Sequence, residues 1–180
     1  MRETADRPAP VGASAVAPTT ISLFLQQAEL LGDRPMLHHY RDDRWQAISW
    51  VRAREGVVRI ANALLELGVL PGERVVILSE NRPEWILCDL AIQGVGGVTV
   101  PIYPTLTPAG ANQIARDSGA RVAIVSAAPA AAALRSAGSV RTVVSMDDVR
   151  GLLDADPTPD RRALVADRAA RVDASDLATV

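Results

Sequence analysis

Apolar positions along the chain change period several times, and each change predicts an element. Leu23, Phe24, Ala28, Leu30 and Leu31 recur at helical spacing from Ile21 to Leu31, and Gly32-Asp33 end that run. Met36–Tyr40 and Trp45–Ile48 flank a polar Arg41-Asp42-Asp43-Arg44 turn, which predicts a short β-hairpin. Ser49 is placed to cap a helix from Trp50 to Leu67, with Val51, Val58, Ala61, Leu64 and Leu65 on one face and Gly68 at the left-handed exit. After the Pro71-Gly72 turn, Arg74–Ser79 carries the continuous apolar run of a strand buried on both faces. Asn81 is placed to cap the next helix, which holds Pro83 and Glu84 in its first turn and is apolar nearly all round.

The alternation then continues. Val98–Tyr103 reads as a strand, Thr107-Pro108 opens a helix ending near Ser118-Gly119, and Arg121–Ser126 reads as a further buried strand. Pro129–Ala137 predicts an alanine-rich helix, Arg141–Ser145 a strand and Asp147–Leu153 a short helix. Asp154–Asp160, with two prolines and three aspartates, reads as a surface loop before an Arg- and Ala-rich helix over Arg161–Val172. Asp173–Asp176 reads as a turn, and Leu177–Val180 as the opening of one more strand. The expected class is α/β: a mainly parallel sheet of βαβ units with helices on both faces, preceded by a helix and a short β-hairpin.

Composition narrows the picture. Aromatic residues make up 3% of the chain, so the core must come from Val, Ile, Leu and Ala. A net charge of −2 gives no electrostatic case for nucleic acid. The single cysteine, Cys88, excludes a disulfide framework and fits a reducing, cytoplasmic setting. No apolar run approaches the ~18 residues of a transmembrane segment. Met1–Pro18 mixes Arg2, Glu3, Asp6 and Arg7 with Pro and Ala, and is expected to be a disordered leader before one domain over 19–180. All 19 basic residues are arginine, so no reaction that needs a lysine can be completed by these residues alone.

Candidate chemistry is sparse. Gly94, Gly96 and Gly97 close a helix and precede a strand, the reverse of a phosphate loop, and are better read as tight helix–strand packing. His38 and His39 are adjacent on a strand and point to opposite faces, which predicts a surface-and-core pair and no shared metal. Cys88 on a buried helix reads as a small core residue. Asp147 and Asp148 read as helix-start residues, and Ser126 lacks the G-x-S-x-G context of a hydrolase elbow. No catalytic, cofactor-binding or metal-binding residue is assigned.

Two stretches go beyond pattern. Gly72-Glu73-Arg74-Val75-Val76-Ile77-Leu78-Ser79-Glu80-Asn81-Arg82-Pro83-Glu84-Trp85 and Val100-Pro101-Ile102-Tyr103-Pro104-Thr105-Leu106-Thr107-Pro108 stand in an order and at a separation that resemble the N-terminal region of AMP-forming acyl-CoA synthetases. Ile60–Val69 and Asp117–Val122 look like the same family's flanking segments, and Ile102-Tyr103-Pro104-Thr105 is more similar to long-chain fatty acid–CoA ligases than to amino-acid-activating domains. Ala109-Gly110 depart from the acidic helix start such enzymes often carry.

The resemblance implies a two-step reaction. A fatty acid carboxylate attacks ATP-Mg²⁺ to give acyl-AMP, and the CoA thiol then displaces AMP. It also implies that the lysine-bearing phosphate loop follows the strand opening at Leu177. The expectation is therefore an N-terminal portion that is inactive alone and needs the remainder of the ligase. ATP, Mg²⁺ and CoA are implied for the full-length enzyme, with no cofactor held here. The alternative is a non-catalytic α/β binding or interaction module on the same scaffold. An unfinished apolar strand at Leu177–Val180 argues against it, because it would leave an exposed sheet edge. A stand-alone Rossmann-type nucleotide domain is disfavoured because Ser79-Glu80-Asn81-Arg82-Pro83 stands where its glycine-rich loop belongs.

Overall fold

The computed structural model describes residues 18–136, 138, 140–152 and 158–180. Residues 1–17 of the leader expected over Met1–Pro18, the expected helix ends Ala137 and Leu153, and the 154–157 part of the expected loop lie outside the described residues. Among those described, α1 (Thr20–Leu31), the hairpin β1 (Pro35–Arg41) and β2 (Arg44–Ser49), and α2 (Trp50–Glu66) precede an alternating series. That series is β3 (Arg74–Leu78), α3 (Pro83–Gly94), β4 (Val98–Ile102), α4 (Pro108–Ser118), β5 (Val122–Val125), α5 (Ala128–Arg135), β6 (Thr142–Ser145), α6 (Met146–Leu152) and α7 (Pro159–Ala170).

Local chemistry sets most boundaries. The Thr19, Ser49, Thr107 and Thr158 hydroxyls each accept a backbone N–H in the first turn of the helix they precede. Asp42 and Asp43 both have positive φ, 52° and 56°, which gives the two-residue turn whose twist suits a hairpin. The expected Asn81 cap shifts by one residue. Arg82 is the N-cap, it makes no side-chain cap bond, and Pro83 opens α3. The expected loop up to Asp160 is likewise too long, because Thr158 caps α7 and Pro159 and Asp160 already lie in it. Proline at a first helical position has no N–H to lose and its φ suits the turn.

The series builds a parallel four-stranded sheet in the order β4-β3-β5-β6. Its two faces carry separate cores. On one, Val75, Ile77, Val122 and Ile124 pack with apolar residues of α1, α2, α3, α6 and α7. On the other, Val76, Leu78, Ala123 and Val125 pack with Ala111, Ala115, Ala131 and Leu134 of α4 and α5. The expected parallel α/β layer with helices on both faces is what the chain forms. Leu177–Val180 does reach the sheet: Thr99 N–H donates to Ala178 O (2.9 Å) and Val180 N–H to Thr99 O (3.1 Å), a parallel bridge beside β4.

The glycine cluster between α3 and β4 packs tightly, as expected. A Cβ on Gly97 would stand 3.0 Å from Ile92 Cγ2, 3.1 Å from Ile92 O and 3.3 Å from Glu73 O. Two of those neighbours are backbone atoms that cannot turn aside, and Gly97 N–H also donates to Ile92 O. Gly97→Ala should therefore cost about 1–3 kcal/mol, read as a lowered urea midpoint with an unchanged m-value. Among the described residues no helix is long and apolar enough to cross a membrane.

Candidate functional site

The sheet order fixes where a site can form. From β3 the chain crosses to β4 on one side, then returns past β3 to place β5 on the other. α3 covers one face of the sheet and α4 and α5 the other. This reversal between β3 and β5 is the topological switch point at which open α/β sheets leave a crevice beyond the carboxyl ends of the strands. Here the crevice is a groove of about 260 Å³, walled by Leu78 and Glu80 after β3, Ser126 and Ala127 after β5, and Pro104, Leu106 and Pro108 after β4.

One short contact crosses it. Ser126 Oγ donates to Glu80 Oε2 at 2.6 Å, and Ser126 N–H donates to Leu78 O at 3.1 Å. The Ser126 hydrogen bond, a backbone hydrogen bond and the nearby Arg82 charge hold the Glu80 carboxyl below its usual range. A carboxylate held ionised in this way accepts hydrogen bonds well but is a weak proton acceptor in a transition state. Ser126 gives its proton to that carboxylate and has no histidine partner in the groove. The pair can therefore hold a hydroxyl or amine donor, but it is not an activated nucleophile.

Behind the crevice lies a charge cluster. Glu84, in the first turn of α3, is 2% exposed yet accepts from Arg41 Nη2 at 3.0 Å and Arg82 Nε at 3.1 Å. Burial pushes its carboxyl up, but its own backbone N–H and the two guanidinium groups outweigh that and hold it low. Arg82 also stands 3.9 Å from Glu80 and 3.7 Å from Asp147 at the start of α6. Arg41 belongs to the hairpin, so Glu84 ties β1 to α3, while Arg82 links the ends of β3, α3 and α6.

The residues weighed from sequence fall in different places. Cys88 is fully buried with its sulfur 4.0 Å from Met146 Sδ, and burial together with the negative Glu84 and Asp89 pushes its thiol up, so it is inert core. Asp147 and Asp148 lie in the first turn of α6, where Ser145 Oγ accepts both of their N–H groups. His38 and His39 correct the surface-and-core expectation. His38 is exposed and His39 half-buried, and both line the groove between β1 and α3, because one face of the hairpin is solvated and the other only half covered. Glu84 was not singled out by sequence reading, since a first-turn glutamate after proline is fully explained by the helix dipole.

The ATP-Mg²⁺ implied by resemblance does not fit the residues of this crevice. A triphosphate there would face the Glu80 carboxylate, the Arg82 guanidinium is already committed to Glu84, and the chain contains no lysine. Among the described residues no three His, Cys, Asp or Glu side chains gather to hold a metal ion.

Comparison with known proteins agrees with the fold. The family model described as AMP-binding enzyme matches residues 24–180. Long-chain-fatty-acid–CoA ligase FadD15 of Mycobacterium bovis is 41% identical over 81 residues, which cover 45% of this chain and 14% of that protein. Long-chain-fatty-acid–CoA ligase ACSBG1 of Rattus norvegicus is 30% identical over 107 residues, covering 59% of this chain and 15% of its own length. The crystal structure of the N-terminal domain of FACL13 from Mycobacterium tuberculosis, inhibitor-bound, superposes with a TM-score of 0.65 at 25% identity, covering 76% of this chain and 35% of that one. VinN superposes with a TM-score of 0.76 over 91% of this chain and 41% of its own, at 18% identity, a likeness of fold. The chain thus spans about one seventh of the length of these curated relatives. With a family model matched across all of the alternating βα series, this chain belongs to the AMP-binding enzyme family.

Proposed function

We propose that residues 19–180 form the N-terminal scaffold of a long-chain fatty acid–CoA ligase acting in the cytoplasm. The observation that carries this is the 41% identity to FadD15, above that to the other fatty acyl relatives compared. In this reading the complete ligase takes a fatty acid, ATP-Mg²⁺ and CoA through acyl-AMP to acyl-CoA, and the remainder of the ligase supplies the groups that hold the polyphosphate. This chain's own part is positional. β3, β4 and β5 fix the crevice rim, and Arg82 and Glu84 hold the hairpin and α6 against it.

The test is ATP–pyrophosphate exchange with a long-chain fatty acid. The 180-residue chain should show no exchange above a blank, whereas the enzyme translated from the full reading frame should show it clearly. Exchange by the 180-residue chain alone would overturn the reading, as would a full-length enzyme that exchanges only with amino acids.

A further inference from the structure

Leu177–Val180 lies beside β4 with little of its own to hold it there. Every residue of Asp173–Val180 is exposed. Among the described residues three hydrogen bonds join the segment to β4, and all three use the backbone of Thr99. Its N–H donates to Ala178 O (2.9 Å), and its carbonyl accepts from Val180 N–H (3.1 Å) and Thr179 Oγ1 (3.0 Å). Each such bond replaces a bond to water, so its net gain is small, and fixing the backbone of an exposed segment costs more than a few of them return. The segment therefore depends on an anchor elsewhere.

That anchor is α7. Residues 171–176 connect the two, and they are folded rather than a free tether. Asp173 N–H donates to Asp176 Oδ2 (2.8 Å), Asp173 Oδ1 accepts from Ser175 N–H (2.9 Å), and Val172 packs against the core. A short, folded connection leaves little closure entropy to overcome, so a docked α7 delivers the segment to the sheet edge. α7 itself is docked lightly. Of its 12 residues, Val165 and Ala169 are the buried ones, against α1, α2 and α3. Arg161 meets Glu66 at 2.9 Å in a pair open to solvent, a weak fastening. Ile77 and Ile124 of the sheet are held more firmly, among apolar residues of α1, α2, α3 and α6 as well.

We propose that α7 is a strap. Docked, it lays Leu177–Val180 beside β4; lifted, it releases that segment from the sheet edge while β3, β4, β5 and β6 stay paired. Resting on the ligase reading above, this makes the join between this portion and the remainder of the ligase a movable one, latched at Val165 and Ala169.

Amide exchange in the 180-residue chain, followed by NMR, tests it. The Thr99 N–H reports the bridge, the Ala169 N–H reports α7, and those of Ile77 and Ile124 report the sheet. In the parent chain Thr99 and Ala169 should show matching protection, about tenfold or more below Ile77 and Ile124. Val165→Ala removes buried contact but favours the helix itself, so it loosens docking without melting α7. It should speed Thr99 and Ala169 together by about tenfold. Leu134→Ala weakens the opposite core, which the lifted state keeps. It should speed Ile77 and Ile124 by about tenfold or more and leave Thr99 and Ala169 unchanged. Four glycines inserted after Ala174 lengthen the connection with Val165 in place, and should speed Thr99 by about threefold or more. These readouts use this chain's own amides, so they succeed or fail separately from ATP–pyrophosphate exchange. A Thr99 rate unchanged by Val165→Ala or by the insertion means the segment holds itself, and a Thr99 rate raised by Leu134→Ala means α7 opens only with the whole fold; either result overturns the strap.

Discussion

Glu84→Ala should destabilise the chain by about 3 kcal/mol and loosen the hairpin before the sheet, because removing one partner of a buried ion cluster strands the others. Arg82, 14% exposed, loses the acceptor at 3.1 Å on its Nε and is left with the more distant Glu80 and Asp147 carboxylates among the described residues. Arg41 loses the 3.0 Å contact that fastens β1 to α3. At 34% exposure it regains water, which places the cost at the low end of the about 3–5 kcal/mol found when buried pairs are broken. Glu84→Gln, which keeps one acceptor oxygen, should cost less. Urea unfolding gives the size, and amide exchange gives the order in which β1 and β3 open. Equal exchange rates at β1 in the parent and Glu84→Ala chains would defeat the assignment of Glu84 as the tie.

The same carboxyl predicts a pH dependence. Its value in the fold is held below the ordinary 4.5. Its contribution is therefore fully present above that unfolded value and is lost as pH falls through the lower folded value. The parent chain should lose stability on acidification from near pH 5 downward, and Glu84→Gln should show a shallower slope there. At neutral pH the Glu84→Gln difference should be independent of pH.

Much of this architecture is legible from local signals. Val75-Val76-Ile77-Leu78 and Val122-Ala123-Ile124-Val125 are apolar on both faces because helices cover both sides of the sheet, and a run of that kind between turn residues has few other solutions. Caps at Ser49 and Thr107 are one-residue features with a single chemistry. The candidate site was not legible, and the reason is distance along the chain. Glu80 and Ser126 are 46 residues apart, and Arg41 and Glu84 are 43 apart. Glu80 and Ser126 meet because β5 returns to pair with β3, and Arg41 and Glu84 meet because the hairpin lies against the start of α3, and no period within one element encodes either arrangement. Asn81 failed as a cap for a local reason instead. Proline at the next-but-one position settles where α3 begins, so a residue better suited to capping was left one place too early.

Because the two faces of the sheet carry separate cores, their large apolar residues should not be equivalent. Leu87, 1% exposed, lies on α3, which packs against α1, α2, α6 and α7 as well as β3 and β4. Leu134, fully buried, lies on α5, an eight-residue helix whose neighbours are α4, β5 and β6. Truncating a buried leucine removes its transfer free energy and leaves a cavity, and the cost depends on how far the surroundings can close. α3 is held from several sides and cannot follow the lost side chain inward, so Leu87→Ala should cost about 4–5 kcal/mol. α5 is short and supported mainly from one side, so it can settle toward β5, and Leu134→Ala should cost about 2–3 kcal/mol. For a domain with a total stability of about 5–15 kcal/mol, the first change alone approaches the limit of folding at ambient temperature. Urea midpoints of the two variants give the comparison. Equal losses would mean that α5 is as firmly held as α3, and a larger loss at Leu134 would reverse the ranking of the two faces. In the double variant the losses should add to within about 0.5 kcal/mol, since the sheet separates the sites and they share no packing partner.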